Sequence, residues 1–89
     1  MQEKHLQIIN KLGLHARAAT KLANIANRFS ARTEVTANGK STDAKSIMSL
    51  MLLAASKGTE IQLRTEGEDE EAAMAAVTNL INNRFDEAE

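Results

Sequence analysis

Residues 4–29 read KHLQIINKLGLHARAATKLANIANRF, and their hydrophobic period changes partway along. Residues 4–10 alternate loosely, with Leu6 and Ile8 on one face, which predicts a strand. Over residues 16–28 the spacing becomes helical. Ala19, Leu22, Ala23, Ala26 and Phe29 share one face, while Thr20, Lys21, Asn24, Asn27 and Arg28 point away from it. The junction is Gly13-Leu14-His15-Ala16-Arg17. A histidine therefore stands just ahead of a predicted helix, with a glycine two residues before it and an arginine two residues after it.

The rest of the chain extends this pattern. Residues 32–37 predict a second strand, Asn38-Gly39 is a strong hairpin signal, and a short third strand follows at residues 40–42. Residues 46 to about 53 predict a short helix with Ser46 at its N-cap. Leu50, Leu53 and Ala54 would form its buried stripe, leaving Ile47, Met48, Met51 and Leu52 outward. After Lys57-Gly58, residues 60–65 alternate with Ile61 and Leu63 inward, giving a fourth strand that Gly67 breaks. Residues 69–83 predict the longest helix, with Ala73, Ala76, Val77, Leu80 and Ile81 as its stripe and an acidic first turn that suits the helix dipole. The order is β-α-β-β-α-β-α. Alternating strands imply an antiparallel sheet with one solvated face, and three helices on the other face make an α+β open-faced sandwich. With only Phe29 and Phe85 as aromatics, the core is expected to be aliphatic.

Eighty-nine residues predict one domain over 1–89. Without cysteine there is neither a disulfide framework nor a thiolate metal site. The longest apolar stretch, residues 47–55, is too short to span a membrane, and residues 1–5 lack a secretory apolar segment, so a soluble cytoplasmic protein is expected. Charge is segregated. Residues 1–58 carry nine Lys or Arg against three Asp or Glu, and residues 59–89 carry two against nine. If the basic part surrounds His15, it would attract an acidic partner.

At the start of a helix the backbone N–H groups of Ala16 and Arg17 lack internal acceptors, and the dipole favours an anion. Gly13 permits a sharp entry into that helix. The same positive end disfavours a cationic ring, and a neutral imidazole has a lone pair with which to attack phosphorus. Arg17 is the wrong sign for a helix N-terminus, which hints at another use. Its planar guanidinium suits phosphoryl oxygens. The layout points to a histidine that carries, or touches, a phosphoryl group. His5, in the first strand without a neighbouring partner, receives no role. Thr20, Lys21, Asn24 and Asn27, with Ile47, Met48 and Met51, are candidates for a partner surface, where methionines adapt to several ligands.

Gly13-Leu14-His15-Ala16-Arg17 resembles the active-site loop of the HPr family, the histidine-containing phosphocarriers of the phosphoenolpyruvate-dependent phosphotransferase system. Lys45-Ser46-Ile47-Met48-Ser49-Leu50-Met51 is similar to that family's regulatory-serine segment, Lys57-Gly58-Thr59 to the turn after it, and Glu66-Gly67-Glu68-Asp69-Glu70 to its acidic run. The resemblance covers nearly the whole chain and implies the open-faced fold read above. It implies that phosphorylated Enzyme I loads Nδ1 of His15 and that EIIA-type proteins unload it. It also implies that the short helix lies beside His15, and that HPr kinase/phosphorylase phosphorylates Ser46. The expected protein is a monomeric shuttle, a phosphoryl-transfer intermediate with no cofactor, metal, membrane or nucleic-acid ligand. Ala18 stands where the family usually has proline, which predicts a less rigid helix start with the chemistry intact. The tail Arg84-Phe85-Asp86-Glu87-Ala88-Glu89 extends past the family's usual end and is similar to that of NPr, the nitrogen-related paralogue.

The alternative is a small α/β domain that binds nucleic acid, or acts by regulatory interaction, without phosphotransfer. Nucleic-acid binding wants aromatics on the open strands, and neither phenylalanine lies in a predicted strand. A stand-alone hydrolase lacks a cysteine nucleophile or a Ser-His-Asp arrangement, and the acidic run reads as a solvated helix cap.

Overall fold

The computed structural model describes residues 1–89. Its order is β1 (Gln2–Gln7), α1 (Ala16–Ala26), β2 (Arg32–Ala37), β3 (Lys40–Asp43), α2 (Ile47–Leu52), β4 (Glu60–Glu66) and α3 (Glu70–Asn82), followed by a tight turn at Arg84–Asp86. The four strands form one antiparallel sheet in the order β1-β4-β2-β3, and the three helices cover one of its faces. No helix is long and apolar enough to cross a membrane.

The period-two pattern decides which face is covered. Val35 and Ala37 of β2 and Ile61 and Leu63 of β4 are buried, with Leu6 of β1 packed against them. Their neighbours Glu34, Thr36, Gln62 and Arg64 alternate onto the other face. That open face is polar, with Arg64 between Glu3 at 3.8 Å and Glu34 at 3.9 Å. It presents no aromatic ring, since Phe85 is buried and Phe29 follows α1. The helices fill the covered side with Ala18, Ala19, Leu22 and Ala23 of α1, Leu50 of α2, and Met74, Val77 and Ile81 of α3.

Several predicted boundaries move. β1 starts at Gln2 and ends at Gln7. Beyond it Ile8 still exchanges bonds with Thr59 and Gly58 before the chain turns away. α1 ends at Ala26, because Asn27 caps it by donating from Nδ2 to the carbonyl of Ala23 at 2.8 Å. Ala54, expected in the buried stripe of α2, is exposed, and its φ of 54° turns the chain away from the helix. The acidic run is only partly solvated. Asp69 accepts from the N–H groups of Ser30 at 2.9 Å and Ala31 at 2.7 Å, tying the start of α3 to the loop after α1. These bonds hold its carboxyl below the usual range.

The core is not purely aliphatic. Phe85 is wholly buried, although it lies in the polar tail. To place it there, Arg84, Phe85 and Asp86 take φ values of 57°, 54° and 63°. Each left-handed residue costs about 1 kcal/mol or more. Burying a phenylalanine is worth about 3–5 kcal/mol by the cost of its removal, so the turn holds because the ring is inside. Phe85→Ala should free the tail and lower unfolding free energy by about 2 kcal/mol. That falls short of the full value because the left-handed strain is released with it. Urea unfolding checks this, and a loss below about 0.5 kcal/mol would show that Phe85 does not hold the tail.

Candidate functional site

His15 is the N-cap of α1, with extended backbone (φ −79°, ψ −178°) and no capping bond from its side chain. The N–H groups of the first turn therefore keep their donors free of the ring. The loop before it is pinned from three directions. Gly13 N–H donates to the Asn10 carbonyl at 3.2 Å, Leu14 N–H donates to the Ala55 carbonyl at 2.8 Å, and Asn10 Nδ2 donates to the Gly13 carbonyl at 2.8 Å. Gly13 has a φ of 67°, and a Cβ on it would lie 2.6 Å from the Ala55 oxygen. Here glycine is required both by conformation and by the close approach of the backbone after α2.

The ring is 26% exposed. It borders a shallow depression of about 210 Å³ with Leu12, Leu14 and Ala54–Ser56, so the segment that follows α2, rather than the helix itself, lines the ring. Its two nitrogens differ. Nε2 bonds to Glu87 Oε2, whereas no hydrogen bond engages Nδ1. Glu87 Oε1 also accepts from Asn10 Nδ2 at 2.9 Å. Burial opposes ionisation of this carboxyl. The Asn10 and His15 hydrogen bonds, with the nearby His15 and Arg17 charges, outweigh burial and hold it below its ordinary value.

Arg17 is exposed and free of any ion pair within 4.0 Å. It lines a groove of about 520 Å³ whose other walls include Lys11, Lys21 and the tail. The charge segregation seen along the chain is thereby undone in space. Lys11 pairs with Glu89 at 3.4 Å, Lys21 lies 3.8 Å from Asp86, and Lys21 Nζ donates to the Phe85 carbonyl at 2.8 Å. The acidic tail returns onto the basic surface beside His15.

Ser46 caps α2, accepting from Ser49 N–H at 3.3 Å. Met48 and Leu52 are each 71% exposed, and Ile47 and Met51 are also outward. On α1, Asn24 is exposed, and Thr20 is half-buried and bonds to the Ala16 carbonyl. Lys21 serves the tail, and Asn27 reaches the Lys45 carbonyl at 3.2 Å. Ala18 is fully buried at the helix start. No group of three or more His, Asp or Glu side chains is placed to hold a metal ion.

Sequence reasoning missed Asn10 and Glu87. The available signal was Phe85, the single bulky apolar residue in a polar tail, which has to bury itself and so brings its neighbours back to the body.

A family model described as "PTS HPr component phosphorylation site" matches residues 2–83. The chain is 53% identical over 90 residues to the phosphocarrier protein HPr of Pseudomonas aeruginosa, covering all of both chains. It is 43% identical to the phosphocarrier protein NPr of Shewanella violacea, covering 97% of this chain and 94% of that one. Among solved structures it superposes on HPr from Thermoanaerobacter tengcongensis with a TM-score of 0.95, at 42% identity and full coverage of both chains.

Because the Glu87 carboxyl is depressed in the folded protein, its grip contributes above the ordinary carboxylate value of 4.5 and is lost as pH falls through the lowered one. NMR shifts of Phe85 and the His15 ring should show the tail loosening on acidification while α3 and the sheet persist. A tail that stays closed until global unfolding would contradict this.

Proposed function

The chain belongs to the HPr family of phosphotransferase-system phosphocarriers, and from that premise we propose that His15 Nδ1 is the atom that carries the phosphoryl group. On this reading residues 1–89 work as a single HPr-like domain. Phosphorylated Enzyme I loads the ring, and EIIA-type proteins unload it. The higher identity to an HPr than to an NPr relative supports the general carrier role over the nitrogen-related one.

One observation carries the assignment: Nδ1 is without a partner on a partly exposed ring at the N-cap of α1, while Nε2 is engaged. The lone pair of Nδ1 attacks phosphorus in line. The bond from phosphorus to the donor nitrogen breaks, and its electron pair stays on the donor. The N–H groups of Ala16 and Arg17 can then donate to the phosphoryl oxygens, and the unpaired Arg17 guanidinium can neutralise their charge. The same groups release the cargo in the reverse step.

Ile47, Met48, Met51 and Leu52 form the apolar patch on which partners dock, with Asn24 and Thr20 at its margin on α1. A phosphate on Ser46, written by HPr kinase/phosphorylase, would add about two negative charges beside that patch. It would suit the α2 N-terminus yet repel an acidic partner.

Incubation with Enzyme I and labelled phosphoenolpyruvate tests the carrier role. The wild type should acquire an acid-labile, base-stable label. His15→Ala should acquire none while keeping its fold, and Arg17→Ala should load about ten- to a hundredfold more slowly. Label on His15→Ala would refute the site. Ser46→Asp should weaken transfer about tenfold at limiting Enzyme I, and equal rates would remove the electrostatic switch.

A further inference from the structure

We infer that Glu87 is a positioning residue for the His15 ring: it fixes which nitrogen carries the proton, and the C-terminal turn delivers it to the ring. This rests on the reading of His15 as the phosphoryl acceptor and names a residue that reading does not use.

A carboxylate offers lone pairs and no proton. The hydrogen between Oε2 and Nε2 therefore belongs to the ring. In the uncharged imidazole this leaves the lone pair on Nδ1. The second carboxylate oxygen is engaged as well, by Asn10 Nδ2 at 2.9 Å. Asn10 spends its other Nδ2 hydrogen on the Gly13 carbonyl at 2.8 Å, two residues before the ring. Asn10 is wholly buried, so this bridge cannot swing with solvent. Ring and carboxylate are thus held from the same loop and keep a constant relation.

The tail is anchored independently. Phe85 is buried, and Lys21 Nζ donates to its carbonyl. Glu87 follows two residues later, and its side chain is 13% exposed. The cations on this side are Lys11, Arg17 and Lys21, and the other anions are Asp86 and Glu89. Of the carboxylates among them, Glu87 is the one bonded to the ring.

The chemistry balances without a further reactant. When the Nδ1 lone pair forms the bond to phosphorus, the donor keeps the pair from the bond that breaks. The ring becomes more positive, its Nε2 proton stays in place, and the carboxylate faces that charge. In onward transfer the pair returns to Nδ1. Glu87 touches neither phosphorus nor the partner's nitrogen and acts only through the ring.

Two measurements on the full chain test this: single-turnover loading at saturating phosphorylated Enzyme I, and nitrogen-15 NMR of the unphosphorylated His15 ring. The wild type should show a protonated Nε2 and a bare Nδ1. In Glu87→Ala the ring shifts should move toward those of a solvent-averaged imidazole. Loading should slow about tenfold, with the half-saturating donor concentration unchanged. Glu87→Gln, similar in shape but uncharged, should fall between the two. Loading within about twofold of wild type, or ring nitrogens that do not move, would overturn the inference. A wild type that accepts no phosphoryl group would overturn the reading of His15 itself, and this inference with it, and would be visible before any variant is made.

Discussion

The Glu87 carboxylate accepts from both the His15 ring and Asn10, and so ties the last residues of the chain to the loop that carries the ring. Other features of the site are arranged around that contact. Gly13 lets the loop pass within contact of the backbone after α2. Asn10 joins the loop to the tail. Phe85 holds the tail down at the cost of three left-handed residues. A buried amide that donates twice in a fixed geometry is worth more as an aligning element than as a source of stability.

The same arrangement changes the electrostatics expected of a basic surface. Lys11 and Lys21 are partnered by the tail, whereas Arg17 remains unpaired. Of the cations lining the groove beside the ring, the planar, multi-donor one is left available for a phosphoryl group. The ring also borders Ala54–Ser56, the segment that follows α2 and its exposed apolar surface. If His15 carries a phosphoryl group as proposed, an unpaired guanidinium near the ring and an exposed, adaptable apolar helix face suit a shuttle that meets different partners.

Much of the fold was legible because its cues are local. The period change at His15, the Asn38-Gly39 hairpin and the Ser46 cap each depend on a few neighbouring residues, and all three stand in the structure. The outward placement of Ile47, Met48, Met51 and Leu52 also followed from helical spacing. What escaped sequence reading depends on distant residues. Glu87 and His15 lie 72 positions apart, and no periodicity links them. Ala54 escaped because helical spacing cannot reveal that the helix has already ended in a left-handed residue. Asp69 read as a solvated cap because the N–H groups it accepts from belong to residues 38 and 39 positions away.

The central claim is that the ring presents Nδ1 and withholds Nε2. Nitrogen-15 and phosphorus-31 NMR of the loaded protein tests it most directly, through the scalar coupling between phosphorus and the imidazole nitrogen bonded to it. The account predicts coupling to Nδ1 of His15, with Nε2 still protonated. Coupling to Nε2 would contradict it, because Glu87 would then have to leave the very atom it is bonded to.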